Sequence, residues 1–437
     1  MKDDLITSSF RRFIKLGGLV GRVGASVAGG QVAGLMRSGE SKEAHQTENL
    51  VRNARRIVET LGELKGAAMK VGQMLSLHEG LLPPEVAAVL SALQKEAPKV
   101  PAEVIGYEIE GALDNYDELF ESLNLEGFAA ASIGQVHEGR LRDGRRVAVK
   151  IQYPLIDQIV SADLKNLRTV LQGLFSLFSN IDFDPLWHEV RDRLLEELDY
   201  THEAQNMREM IELHADVPEI IIPRVVDEAT ARNVLTMEYV EGISPDRACS
   251  DELDQELKDR WGQALFEFQL RGLLKHHFMH ADPNLANFSF LEDGRVIVYD
   301  FGCVKRVPSN LAAGYAALFL AGIDGRKNDV PRILAEMGVF RENGDPLPRE
   351  LTDPYLDLFV EILREDPPYT FGTDDRIYRE VIQLGIAHYD EAMDIRFPQD
   401  VIFIDRSMSG HFGNLGRLRS TGPWRRLVKD YATDGSA

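Results

Sequence analysis

The sequence predicts an α+β fold in two lobes preceded by a helical extension, and three observations carry that expectation. At 437 residues the chain exceeds what one hydrophobic core of ordinary size serves, so two cores are expected. Apolar positions recur near helical spacing over residues 45–97, as in Leu50-Val51, Ile57-Val58, Leu61, Leu64 and Met69. The pattern changes to short strands over 128–152 and 219–240, then returns to helix for most of the C-terminal half.

Taken in order, residues 1–38 set Lys2, Arg11, Arg12, Lys15, Arg22 and Arg37 against only Asp3 and Asp4, a local charge of +4. Gly17/Gly21 and Gly30/Gly34 have GxxxG spacing. Two readings stand for this stretch: a segment for close helix packing or a membrane surface, and a flexible solvated terminus. Pro83-Pro84 opens a helix through Leu93. Asp143-Gly144 makes a turn into Val147–Ile151, a hairpin signal. Helix is expected from about 156 to 214, then strands ending in Leu235–Val240, and a short strand from Arg295 to Tyr299. There is no internal repeat or low-complexity tract. The expected divisions are a glycine-rich basic segment (1–44), the helical extension (45–125), a smaller lobe with inserted helices (126–242) and a mainly helical larger lobe (243–437).

Hydrophobic content of 44% and charged content of 27% are those of an ordinary globular protein. A net charge of −21 argues against general affinity for nucleic acid. The two cysteines, Cys249 and Cys303, make no CxxC pair, so neither a disulfide framework nor a cysteine-rich zinc site is expected, and a reducing compartment fits. No secretory signal is visible. The longest uncharged run near the start, Val23–Met36, is 14 residues, short of the about 20 a membrane span takes. The expected location is the cytoplasm, or the inner membrane surface as a peripheral protein.

The sharpest chemical signal is His280-Ala-Asp282-Pro-Asn-Leu-Ala-Asn287 followed by Val296-Ile-Val-Tyr-Asp300-Phe301-Gly302. Asp282 and Asn287 have the five-residue separation of the protein-kinase catalytic loop, and the Asp-Phe-Gly follows a hydrophobic strand after the Glu292-Asp293-Gly294 turn. Phosphoryl transfer gathers negative charge on oxygens. Asn287 and Asp300 supply hard oxygen ligands for Mg²⁺ against ATP phosphates, and Asp282 is placed to orient a hydroxyl or water and take its proton. A loop of helix-capping Asp and Asn residues is the plain alternative. Val147-Ala-Val-Lys150 matches the strand whose lysine grips the α- and β-phosphates. The expected glycine-rich loop is replaced by Ala129-Ala130-Ala131-Ser132-Ile133-Gly134-Gln135-Val136. Alanines restrict the backbone where glycines let it curl over phosphates. Ala130, Ala131 and Ser132 remain candidates for phosphate contact, against a reading as a packed helix-to-strand turn. Met237, Glu238 and Val240 fall where a kinase hinge holds adenine through its backbone, although Met237 is equally a core residue by type. His276, His277 and His280 do not complete a zinc set, and His280 is read as part of the catalytic loop.

Lys70-Val-Gly-Gln73, the A-A-A-S-I-G-Q-V-H stretch, V-A-V-K-I-Q-Y-P and Glu197-Leu-Asp-Tyr200 together resemble the UbiB family of atypical kinases, in that family's order, over about residues 65–305. Trp424-Arg-Arg looks familial more loosely. Many members read H-x-D-P-H-P-G-N, whereas this chain reads Asp282-Pro-Asn284-Leu285-Ala286-Asn287, resembling the mitochondrial coenzyme Q branch. The C-terminal pair of transmembrane helices of some bacterial members is missing. The resemblance implies a two-lobed protein-kinase-like fold in which the Lys70/Gln73 helix lies over the active site. It implies that Glu197 partners Lys70 and that Glu203 pairs with Lys150. On one continuous helix Glu197 and Glu203 point about 120° apart, and Asp199 shares the face of Glu203, so the two glutamates serve different partners.

The expected function is binding and slow hydrolysis of Mg-ATP in support of ubiquinone or related isoprenoid-quinone synthesis. Quinone-biosynthesis enzymes, isoprenoid lipids, an anionic membrane surface and a second copy of the chain are the expected partners. The rival readings are a phosphotransferase acting on a protein or small molecule, and a nucleotide-binding pseudokinase scaffold.

Overall fold

The computed structural model describes residues 101–434 apart from 132, 155, 158–163, 165–167, 169–171, 173–182, 374, 375, 389, 390, 392 and 393. The expectations for residues 1–100, with Lys70 and Gln73, and for Ser132 lie outside the described residues. The chain divides into two compact units. One holds the residues up to Ala204 together with Val225–Tyr239, and the other holds Gln205–Arg224 and everything from Val240 onward. Both mix helix and strand, as an α+β fold requires.

The first unit is built on an antiparallel sheet of β1 Phe120–Leu123, β2 Ala129–Ala131, β3 Gly134–Leu141, β4 Arg146–Gln152 and β6 Val234–Glu238, in the order β1-β3-β4-β6 with β2 on β3. The β3–β4 turn falls at the expected Asp143-Gly144, where Gly144 has φ of 91°, a conformation that suits glycine. Alternation along β4 sends Val147, Val149 and Ile151 to one face. There they pack with Ile105 and Ile109 of helix α1 (Ala102–Ala112), four residues apart and on one helix face. Each such burial contributes about 1.5–3 kcal/mol. Lys150 therefore stands on the opposite face of the sheet.

Two helices follow, α2 Phe183–Glu196 and α3 Tyr200–Leu213. The single helix expected to carry both Glu197 and Glu203 is broken at Glu197-Leu198-Asp199. Leu198 is buried, and Asp199 acts as a helix cap, its Oδ1 accepting from the Thr201 N–H at 3.0 Å. Glu197 thus lies in a turn and Glu203 in the first turn of α3, so the helical-wheel argument separating them does not hold; the break between the helices separates them instead. The division between the units falls inside α3.

In the second unit, helix α4 (Gln255–Leu270) starts at Asp254, whose side chain accepts from Glu256 N–H, and runs into a π-helical turn at Arg271–Lys275. Four short strands come next: β7 Phe278–His280, β8 Phe288–Phe290, β9 Val296–Val298 and β10 Val304–Arg306. β7 pairs with β10. β9 pairs antiparallel with β8 and parallel with β5 (Ile220–Ile221). The remainder is mainly helical, with α5 Ser309–Ile323, α6 Val330–Glu336, α7 Arg349–Ile362, α8 Arg376–Ala387, α9 Gln399–Leu418 and α10 Trp424–Asp434, and it includes one short antiparallel pair, Phe340–Arg341 on Ile395–Arg396. Trp424 is a core anchor. Its ring packs on Phe266 and Phe371 at 4.9 and 5.3 Å, and its Nε1–H donates to Tyr369 O at 2.8 Å. Neither Cys249 nor Cys303 is joined in a disulfide.

Candidate functional site

In the first unit, pairing in register sets Lys150 of β4 opposite Val136 of β3 and Leu235 of β6. Its Nζ donates to both carboxylate oxygens of Glu203, at 2.9 and 2.8 Å, and lies 5.0 Å from the centre of the Tyr200 ring. The two side chains are 9% and 5% exposed, so the two charges meet where water screens them little. The pairing that the resemblance implied for Glu203 is thus present in the structure. Opposite residues share a face of the sheet, so Met237, paired with Ala148, stands on the Lys150 side and is buried there. Glu238 ends β6.

The alanine-rich stretch is the β2–β3 hairpin, with Ala130 opposite Gln135 and Ala131 opposite Gly134. The reading of a helix-to-strand turn is therefore replaced by strand, turn and strand. At Gly134 the backbones of β3 and β4 pass close together. A Cβ there would lie 2.2 Å from Ile151 O and 3.0 Å from the Tyr200 hydroxyl oxygen. Three motifs distant in sequence meet in that single packing: the alanine hairpin, the lysine strand and the tyrosine of Glu197-Leu-Asp-Tyr200. Glu197 itself is half-buried, and its carbonyl accepts from Gln152 Nε2 at 3.5 Å.

In the second unit, two ladders assemble the catalytic-loop residues. β7 pairs with β10 so that His280 is opposite Val304, and Ala281 N–H donates to Cys303 O at 3.0 Å. β8 pairs with β9 so that Phe288 is opposite Val298, and Tyr299 N–H donates to Asn287 O at 3.0 Å. The β8–β9 turn uses Gly294, at φ of 96°. These registers bring the Asp282 loop beside Gly302 and bring Asn287 beside Asp300. His280 ties the two motifs together, its Nε2–H donating to Asp300 O at 2.6 Å. Burial holds this imidazole below its ordinary pKa, against the opposing pull of the carbonyl bond, so it works as a neutral donor.

Within the loop, Asp282 Oδ1 accepts from Asn284 N–H at 3.1 Å, and Asn284 Oδ1 accepts from Ala286 N–H at 3.1 Å. Asn287 Nδ2–H donates to Asp282 O at 3.4 Å, which leaves its amide oxygen as the atom for a cation. Asp300 Oδ1 accepts from Gly302 N–H at 3.0 Å. The Val240 carbonyl already accepts from the Tyr299 hydroxyl at 2.9 Å.

Three contributors escaped sequence reasoning. Asn206 of α3 donates through Nδ2 to Phe301 O at 3.0 Å. Glu209, one turn on, holds Arg306 of β10 through a paired contact at 2.9 and 2.7 Å. The three-residue spacing of Glu203 and Asn206 on one helix is the one local signal that pointed to Asn206. Arg271, buried in the π-helical turn, bonds Asp216 and lies 3.3 Å from His276 Nε2. His276 is pushed down to about 4, first by burial and then by Arg271, so it is neutral and belongs to this structural network.

A family model described as the ABC1 atypical kinase-like domain matches residues 92–334. Among curated proteins, the chain is similar to the mitochondrial atypical kinase coq-8 of Caenorhabditis elegans, with 31% identity over 84% of this chain and 49% of that protein. It is similar to the mitochondrial atypical kinase COQ8B of Danio rerio, with 34% identity over 64% of this chain and 45% of that protein. The chain thus spans about half the length of these relatives. Among solved structures it resembles Rv3197 of Mycobacterium tuberculosis, solved in complex with erythromycin, with a TM-score of 0.63 and 29% identity over 89% of this chain and 98% of that one. The expected kinase-like α+β fold agrees with both kinds of finding. Among the described residues no helix is long and apolar enough to cross a membrane.

Proposed function

The chain belongs to the ABC1 atypical kinase-like family, and we propose that it binds Mg-ATP and hydrolyses it slowly in support of isoprenoid-quinone synthesis. The observation that carries this reading is the buried Lys150–Glu203 pair together with the ordered Asp282, Asn287 and Asp300 set. Lys150 is the group for the α- and β-phosphates, and Glu203 fixes its ammonium on the face of β4 opposite Val147, Val149 and Ile151. Ala130, Ala131 and Ser132 are proposed to meet phosphate through backbone groups, and Met237, Glu238 and Val240 to meet adenine.

The donor set suits magnesium, which takes one or two carboxylate or amide oxygens and leaves its other positions to phosphate and water. When bound, the ion supplies neutralisation of charge on the phosphate oxygens. Asp282 accepts the proton of the attacking water, and its bond from Asn284 N–H fixes which oxygen faces that task. Lys70, Gln73 and Glu197 are proposed to restrain access of a protein acceptor, as the UbiB resemblance implies. The Asp282-Pro-Asn-Leu-Ala-Asn287 loop and the similarity to COQ8-type kinases support the quinone assignment. The basic segment 1–38 supports work at an anionic membrane surface.

Asp300→Asn is expected to weaken Mg-ATP binding and abolish turnover, because a neutral amide is a poorer ligand for a hard dication. Titration of the nucleotide with and without magnesium, alongside phosphate release, measures both. Unchanged hydrolysis in the variant would remove the proposed metal site. For the quinone role, a strain lacking the gene should lose quinone and recover it with the unmodified gene but not with Asp300→Asn. Full recovery with the variant would separate the chain's biological role from its nucleotide chemistry.

A further inference from the structure

Helix α9 lies beyond the part of the chain that the family model matches, yet it meets the catalytic loop at three points. Ser407 Oγ–H donates to His280 O at 3.4 Å. Asn414 Nδ2–H donates to Pro283 O at 2.8 Å. Between them Gly410 faces the Pro283 ring so closely that a Cβ would lie 2.4 Å from its Cγ and 2.6 Å from its Cβ. Residues 407, 410 and 414 are three and four apart, one face of a helix. Ser407 and Asn414 are 1% and 5% exposed, too buried to serve as solvated surface groups. His411, on the same face, packs its ring 6.2 Å from that of His280 and 5.8 Å from that of Phe288.

The pinned carbonyls, those of His280 and Pro283, flank Asp282 on either side. Proline fixes φ at residue 283, and Gly410 fixes where its ring can go. The Asp282 backbone is thereby held from one helix, 120 and more residues later in the chain.

We infer that α9 is the positioning element of the catalytic loop, with Asn414 and Gly410 as positioning residues that set Asp282 for proton transfer. This rests on the proposed ATP hydrolysis and names what holds its base in place. Asn414 and Gly410 touch neither Asn287 nor Asp300 in any hydrogen bond described above, so disturbing them should cost turnover and spare nucleotide affinity.

The test uses the full chain with Mg-ATP, reading kcat for hydrolysis and Kd for the nucleotide separately. Asn414→Ala removes the donor to Pro283. Gly410→Ala favours the helix intrinsically but drives a methyl into the Pro283 ring. The second variant keeps the test sound if the first fails to fold. In both, kcat should fall about 10- to 100-fold, the scale of an ångström-level misplacement, while Kd stays within about twofold. If kcat survives in both variants, or if Kd rises in step with the loss of kcat, the inference is overturned. Absence of turnover in the unmodified chain fails the underlying reading and this inference with it. Turnover in the unmodified chain that survives both substitutions fails the inference alone.

Discussion

Asp282→Asn is expected to lower ATP turnover by about 10²- to 10⁴-fold, the usual worth of a general base, while Mg-ATP binding stays close to that of the unmodified chain. The substitution keeps the shape of the side chain. Its amide oxygen still accepts from Asn284 N–H, and the backbone carbonyl still accepts from Asn287 Nδ2–H, so the loop keeps its form. What is lost is the basicity of the second oxygen. Phosphate release against nucleotide concentration separates the two effects. Turnover within tenfold of the unmodified chain would mean that another group takes the proton, and the assignment of Asp282 would fail. The contrast with Asp300→Asn is part of the test, since that variant should lose binding and turnover together.

What could be read from the sequence was whatever depends on short spacing. The separation of Asp282 from Asn287, the Asp-Phe-Gly, and the turns at Gly144 and Gly294 are local features, and the structure carries them where they were expected. Lys150 and Glu203 are 53 residues apart, and their pairing came from family resemblance, not from periodicity. The break at Glu197–Asp199 was missed because leucine, aspartate and glutamate are all tolerated within helices. Only the capping bond from Thr201 N–H marks Asp199 as a boundary. β7 and β10 are three residues each, too short for alternation to register. Asn206 and Asn414 act on backbone carbonyls 95 and 131 residues away, and no local pattern announces such a bond.

The second large effect concerns stability. Glu203→Leu should destabilise the chain by about 3–5 kcal/mol, because it takes away the carboxylate that meets the buried Lys150 ammonium at 2.9 and 2.8 Å. Against a typical total of about 5–15 kcal/mol for a domain, that is a severe loss. Adding Lys150→Met to Glu203→Leu should restore most of the stability, because two apolar side chains of similar volume need no compensation and can still pack on the Tyr200 ring. Mg-ATP binding should stay absent in the double variant, for the ammonium that meets the phosphates is gone. Denaturant titration of the two single variants and the double reads the stability terms, and nucleotide titration reads the function. A double variant as unstable as Glu203→Leu would show that the pair is kept for its packing shape. A double variant that still binds Mg-ATP would remove Lys150 from the nucleotide site. Recovery of stability without recovery of binding would mean that the pair is kept for the phosphate it meets and not for folding.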